Sequence, residues 1–250
     1  DKFIYVLRAL SSGKIPIGKL DLEIPRFFAY NKYEGCRLGI GVRTNELLLK
    51  NIEFGAFFAY GFRDEMAKAG FDVNVSINKK WQTAFFAGLT YDVISAGSTF
   101  ESQFMHTYSF SLKKLNEIPS LYYDNIFKGE IGISSLLSRH LTATLGFSYQ
   151  HDIALYDYNF TPLDYKGKHF NYDLAKLFLR LRLNFSRTIL STDIFTLTQK
   201  THLPIVEVAY QRGLKIFDSK LTYNEILLKI QQRIPISYIG EFSYIVRGGY

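Results

Sequence analysis

The sequence predicts an all-β protein: an antiparallel up-and-down transmembrane β-barrel with about ten visible strands, incomplete at its ends. Three observations predict it. Apolar and polar residues alternate with a period of two along most of the chain after about residue 35. Connections alternate between tight and long, and aromatic residues collect at strand ends and on one strand face. Of 250 residues, 47% are hydrophobic and 16% aromatic, which excludes a disordered chain. No apolar run approaches the ~18–20 residues of a membrane-spanning helix. A barrel remains open, because its lipid-facing residues alternate with polar ones and the average hides them.

Taken in order, residues 1–34 read as a lead-in segment. Gly13 to Gly18 is followed by Leu20, Leu22 and Ile24 in alternation, then Pro25. The barrel occupies 35–250, with no second domain, and strands are predicted at about 35–43, 51–61, 70–78, 81–91, 126–137, 140–150, 172–186, 204–211, 220–232 and 237–247. Phe71, Val73, Val75 and Ile77 alternate with Asp72, Asn74, Ser76 and Asn78. Leu141 to Gln150 repeats the pattern, and Leu177, Leu179, Leu181 and Leu183 oppose Lys176, Arg180 and Arg182. At helical pitch the same residues would scatter around the cylinder. A phase change between Tyr223 and Ile226 predicts a β-bulge at Asn224 or Glu225.

Asn78 to Lys80, Ser138 to Arg139 and Arg233 to Pro235 read as tight turns, whereas Ser95 to Asn125 and His151 to Asn171 read as long loops. In a meander the tight turns fall on one side, as in outer-membrane barrels. Arg187 to Leu203 is long on the short side, which predicts an extra strand pair or a small excursion. Trp81 and Tyr91, ten residues apart on one face, would be separated by roughly 25 Å along a membrane normal. With Tyr60, Tyr149 and Tyr210 they form the expected aromatic girdle.

The opposite faces carry Arg37, Arg43, Glu53, Asp72, Lys128, Glu130, Lys176, Arg180, Arg182, Glu207, Lys229, Glu241 and Arg247. Mixed signs on neighbouring strands suit a lumen held by ion pairs, and spare cations the ~2–4 kcal/mol cost of facing lipid at the midplane. They form no ring of one charge that would select a solute. The net charge of +7 is dispersed without a basic block, so no nucleic-acid partner is expected. His106, His140, His151, His169 and His202 make no metal-ligand spacing, and no cofactor is expected. Ser138 and His140 lack a third triad member. Gly39-Ile40-Gly41 does not complete a dinucleotide fingerprint; such glycines make room for bulky lumen neighbours. Cys36, alone in the chain, reads as a packing residue. In Glu34-Gly35-Cys36-Arg37 the expectation is a turn that docks Glu34 onto a lumen arginine.

The run Tyr30-Asn31-Lys32-Tyr33-Glu34-Gly35-Cys36-Arg37-Leu38-Gly39, with Gly13 to Gly18 before it and Thr44-Asn45 and Tyr60-Gly61 after it, resembles a known motif series. It is similar to a Bacteroidota outer-membrane family of unknown function, in which a carboxypeptidase-regulatory-like domain precedes a C-terminal barrel distantly related to BamA-type surface-antigen barrels. The given residues do not include the regulatory-like domain, so the chain is expected to be an internal piece of a longer protein, and Arg247-Gly248-Gly249-Tyr250 does not reproduce the Arg-Gly-aromatic tip of those barrels. The resemblance implies a bacterial outer-membrane location and a non-enzymatic role in outer-membrane biogenesis or translocation. Its partners would be outer-membrane lipid and other outer-membrane or periplasmic proteins. A passive or substrate-specific channel, and a soluble lipocalin-like barrel with its apolar face inward, are the alternatives. Exposure of Trp81, Leu145 and Leu179 separates the membrane reading from the soluble one.

Overall fold

A computed structural model describes residues 13–96, 122–157, 171–185, 203–236, 238 and 240–250, with the backbone of 188–191 and 196–199. The strands are β1 (Lys14–Ile17), β2 (Leu20–Glu23), β3 (Phe28–Asn31), β4 (Gly35–Thr44), β5 (Ile52–Gly61), β6 (Ala67–Asn78), β7 (Thr83–Ser95) and β8 (Tyr123–Leu136). They continue as β9 (Leu141–Ala154), β10 (Asn171–Asn184), β11 (Thr188–Ser191), β12 (Thr196–Gln199), β13 (Ile205–Leu214), β14 (Asn224–Ile236) and β15 (Gly240–Gly249). A 13-stranded antiparallel sheet runs β1-β2-β4-β5-β6-β7-β8-β9-β10-β13-β14-β15, with β3 also on β4. From β4 onward each strand pairs with the next in sequence, apart from the separate hairpin β11-β12. Among the described residues the sheet does not close; β1 and β15 are its edges.

All ten predicted strands are present. The extra pair expected between Arg187 and Leu203 is the hairpin β11-β12. The lead-in is part of the wall, since β2 and β3 lie end to end along the same side of β4. Between them Ile24-Pro25-Arg26 forms a 3-10 turn. Pro25 cannot donate to the ladder, so the strand breaks there. The partner sums, 64 before the break (Leu20↔Thr44) and 66 after it (Phe28↔Leu38), show that it absorbs two residues. Because two is even, β3 continues the faces of β2, so Asp21↔Arg43 and Ala29↔Arg37 fall on the same side, the side that Glu23 also takes.

Three expectations are corrected. Asn224 and Glu225 pair in regular register with Arg212 and Gln211, so no bulge lies there; β14 begins at Asn224, and the apparent phase change belongs to the loop before it. The register shift of β6 on β7 falls instead between Ser76 and Asn78. Trp81 precedes β7 in a turn that includes Gln82 at φ 45°. Pro235 does not sit in a turn but pairs with Glu241 inside the β14-β15 ladder, which extends past the start of β13. There, among the described residues, β14 has no ladder partner on its other side, the setting in which a strand tolerates proline.

Alternation and register divide the strands of the large sheet into two faces. One face carries Arg37, Arg43, Lys68, Lys176, Gln211, Glu207 and Lys229, all buried; the other carries Leu38, Phe58, Phe71, Leu89, Ile131, Leu145 and Leu177, all exposed. Trp81, Leu145 and Leu179 are 44, 53 and 39% exposed. The sheet curls toward its charged side. Arg37 on β4 meets Asp92 on β7 at 2.6 Å, across two intervening strands, although a flat sheet would set those backbones roughly 14 Å apart. A lipocalin-like interior would require the opposite arrangement.

Candidate functional site: the charged inner wall

The concave wall is built around ion-pair nodes. The first grows from the motif at the β3-β4 turn. Asn31 Oδ1 accepts hydrogen bonds from the backbone N–H groups of Tyr33 (3.0 Å) and Glu34 (2.7 Å), and Asn31 Nδ2 donates to Glu34 Oε2. This asparagine turn aims the Glu34 carboxylate inward. Gly35 follows at φ +67°, and a Cβ there would stand 3.0 Å from Arg63 Cβ, so the position needs glycine on both counts. Arg63 N–H donates to the Glu34 carbonyl (2.9 Å) and Arg63 Nη1 to that of Lys32 (2.9 Å), tying the turn to the end of β5.

Inside the wall, Glu34 Oε1 lies 2.7 Å from Lys68 Nζ and 3.5 Å from Arg37 Nη1. Lys68 also holds Asp64, and Arg37 holds both Asp92 oxygens, at 2.6 and 3.2 Å. Glu34 and Lys68 are each only 1% exposed. The expected dock of Glu34 on an arginine is therefore present, but its shorter contact is to Lys68. Tyr33 packs against Tyr123 at 5.9 Å between ring centres, and burial, with Asp64 nearby, pushes its hydroxyl up from its ordinary value. Tyr30 and Cys36 pair across the ladder on the convex side.

The second node centres on Arg43, which donates Nε to Glu23 (3.1 Å) and its two terminal nitrogens to Asp72 (2.7 and 2.9 Å). Glu53 reaches Arg43 only at 4.0 Å and is half exposed. Arg26 stacks its guanidinium 3.6 Å from the Phe57 ring centre. A Cβ at Gly41 would meet Arg26 Cγ at 2.8 Å and Glu23 Oε2 at 2.9 Å, so this strand glycine does make room for lumen side chains. Further round, Lys128 pairs with Glu130 on β8 (2.7 Å). Glu207 on β13 gathers Arg180 (2.5 Å), Arg182 (3.3 Å) and Lys229 (3.3 Å). Glu241 and Arg247 also fall on the concave side but are exposed, on the edge strand β15. Arg182 is half exposed.

Lys68, Asp64, Asp92, Glu23 and Arg26 escaped the sequence reading. The available signal was the phase of Lys68 with Asp72 and of Asp92 with Thr90, continued beyond where the strands were ended. His140 Nδ1 contacts the Asn184 carbonyl at 3.2 Å and His151 Nδ1 contacts Asp173 at 2.8 Å; His106, His169 and His202 lie outside the described residues.

The convex girdle has a recurrent device. Tyr91 hydroxyl accepts from Asn125 (2.8 Å), Tyr149 donates to Asp173 (2.7 Å), and Tyr210 donates to Asn224 (2.8 Å). Each partner sits on the neighbouring strand, two positions nearer the loop-bearing rim, given Tyr91↔Phe127, Ala175↔Tyr149 and Tyr210↔Ile226. Tyr60 meets Phe62 edge-on at the same rim. Tyrosines with apolar bodies and tied-off hydroxyls suit a boundary between an apolar and a wet layer.

An antiparallel, curled wall with polar residues on its concave side and an apolar belt on its convex side defines the class of the fold: an antiparallel β-barrel wall, open among the described residues. The backbone is similar to that of BamA from Haemophilus ducreyi lacking POTRA domains 1–3, with a TM-score of 0.54 at 12% identity, covering 94% of this chain and 41% of that one. The chain thus spans less than half the length of the structure it matches. A search of curated proteins finds no match. Residues 19–250 match the family of unknown function (DUF5686) C-terminal domain, and the chain belongs to that family.

Proposed function

We propose that the chain forms part of a bacterial outer-membrane barrel that serves outer-membrane biogenesis or translocation and is not an enzyme. In this reading the charged wall is scaffold, and a carboxypeptidase-regulatory-like domain precedes the barrel in a Bacteroidota-type protein. The observation that carries the membrane part is the convex belt: Leu89, Ile131, Leu145 and Leu179 are exposed in mid-strand beneath a rim of tyrosines whose hydroxyls are engaged. A water-soluble protein rarely exposes so large an apolar surface. The biogenesis part is supported by the family resemblance and the BamA-like backbone. The interior charges of β4 to β7 are paired with mixed signs and form no ring of one charge, which supports a scaffold over a selective pore.

Reconstitution into vesicles containing brominated lipids tests the membrane part. Trp81, the single tryptophan, should be quenched; an unquenched Trp81 would refute it. Planar-bilayer recording and a deletion strain test the rest. Electrical silence with depletion of other surface proteins is expected, whereas a stable open current would favour a channel.

A further inference from the structure

On the convex face, Phe71, Leu89, Gly129, Tyr149, Ala175 and Leu214 align in one row across β6 to β13. Two of the six are small. Gly129 leaves a trough between Leu89 and Tyr149. Ala175 has no exposure although it lies on the outer side. The segment after β13 turns back along the row and sets Phe217 edge-on to Tyr149, at 5.9 Å between ring centres, and 6.4 Å from Phe147. Phe217 holds φ +54° and is still 78% exposed. A bulky residue in the left-handed region is strained, and such strain persists at clamps and ligand sites.

Beside it a groove of about 710 Å³ opens on the convex face, lined by Phe71, Val73, Leu89, Ile131, Phe147 and Phe217. That volume is in the ligand-pocket range of roughly 300–1,000 Å³. Two carboxylates join the lining. Glu130 belongs to the concave face and is held by Lys128, whereas Asp218 is exposed and has no ion-pair partner among the described residues. Asp218 follows Phe217 and lines the groove together with Tyr149, whose hydroxyl donates to a further carboxylate, Asp173. At the mouth of the apolar trough Asp218 offers a carboxylate to an ammonium, and the exposed Lys215 and Lys220 on either side of it in the chain offer cations to a phosphate, the complement of a zwitterionic amine-bearing headgroup.

We propose that this groove binds one acyl chain of an amine-bearing phospholipid of the phosphatidylethanolamine type, with Phe217 as its clamp and Asp218 meeting the ammonium. The inference rests on the lipid-facing reading of the convex belt. The test uses the full chain reconstituted in vesicles of equal phosphatidylethanolamine, phosphatidylcholine and phosphatidylglycerol, extracted into mild detergent, with retained lipid counted by native mass spectrometry. Phosphatidylethanolamine should be retained in preference to the other two. Gly129→Leu fills the trough and should lower retention about tenfold. Its Cβ would stand 3.2 Å from the tip of Leu89, a flexible neighbour, so the strand should accommodate it. Asp218→Asn should reduce the headgroup preference roughly two- to fivefold. Phe217→Ala reads the same groove should Gly129→Leu fail to fold. Equal retention by the original chain and the folded variants, with Trp81 still quenched by brominated lipid, overturns the site and leaves the membrane reading standing. An unquenched Trp81 overturns both, and a lipid-free dimer overturns the site.

Discussion

Removing the Lys68 ammonium should damage this protein more than removing the Glu34 carboxylate it touches, although both are 1% exposed and only 2.7 Å apart. The node holds two cations, Arg37 and Lys68, against three carboxylates, Glu34, Asp64 and Asp92. Lys68→Met leaves one cation for three carboxylates and strands Glu34 and Asp64 in a buried site. Breaking a buried pair in this way costs about 3–5 kcal/mol. Glu34→Gln leaves two charges of each sign and removes mainly hydrogen-bond quality, a loss of about 1–3 kcal/mol. Neutralising the centre in Lys68→Met/Glu34→Gln/Asp64→Asn should recover much of what the single Lys68 change loses, because the stranded carboxylates are then gone. The assay is urea unfolding in detergent micelles followed by Trp81 fluorescence. Glu34→Gln costing as much as Lys68→Met, or a triple variant no more stable than Lys68→Met, would refute the charge argument.

Other outcomes follow from single positions. Gly35→Ala should destabilise by about 1–2 kcal/mol from the left-handed backbone, and by more once Arg63 must move. Gly18→Ala, at φ +62° with open space around it, should show the backbone part alone, so equal losses in urea midpoint would count against the Arg63 contact. Leu179→Arg should cost about 2–4 kcal/mol in vesicles. If it is neutral there, β10 does not turn that face to lipid. Tyr223, just outside β14, has its hydroxyl pushed up to about 12, first by burial and then by the charge of Glu225. Its contribution is complete below pH 10.0, the ordinary value, and is lost as pH rises towards 12. Tyr223→Phe should therefore flatten the alkaline fall in urea midpoint, and an unchanged slope would contradict that assignment.

The strands were legible because a two-faced wall writes its period directly into the sequence. Leu177 to Leu183 against Lys176, Arg180 and Arg182 can satisfy both sides only as a strand. What was lost lies at element ends. β6 starts at Ala67, β7 runs to Ser95, β8 starts at Tyr123 and β9 runs to Ala154, each about three or four residues beyond the expected limit. Lys68, Asp92, Asp124 and Asp152, all concave, therefore fell into apparent loops. Glu23 and Arg26 were hidden by Pro25, which interrupts the alternation without changing the face. The arginine partner of Glu34 was legible, but its closer partner was not, because Lys68 is 34 residues away in sequence, on β6. Half-exposed Glu53 and exposed Arg182 and Glu241 show the converse: phase places a residue on the inner side but does not say how closely the wall is packed there.

The contacts that bend β4 to β7 are confined to the first strands. Glu23 with Arg43, Glu34 with Lys68, Arg43 with Asp72 and Arg37 with Asp92 all join residues no later than 92. Loop-closure entropy rises with the length spanned, and none of these pairs spans more than the 55 residues from Arg37 to Asp92. The curvature of this half is consequently encoded in the first strands alone. None of these bending contacts needs a residue of β8 to β15, so a change in the later strands leaves every one of them in place.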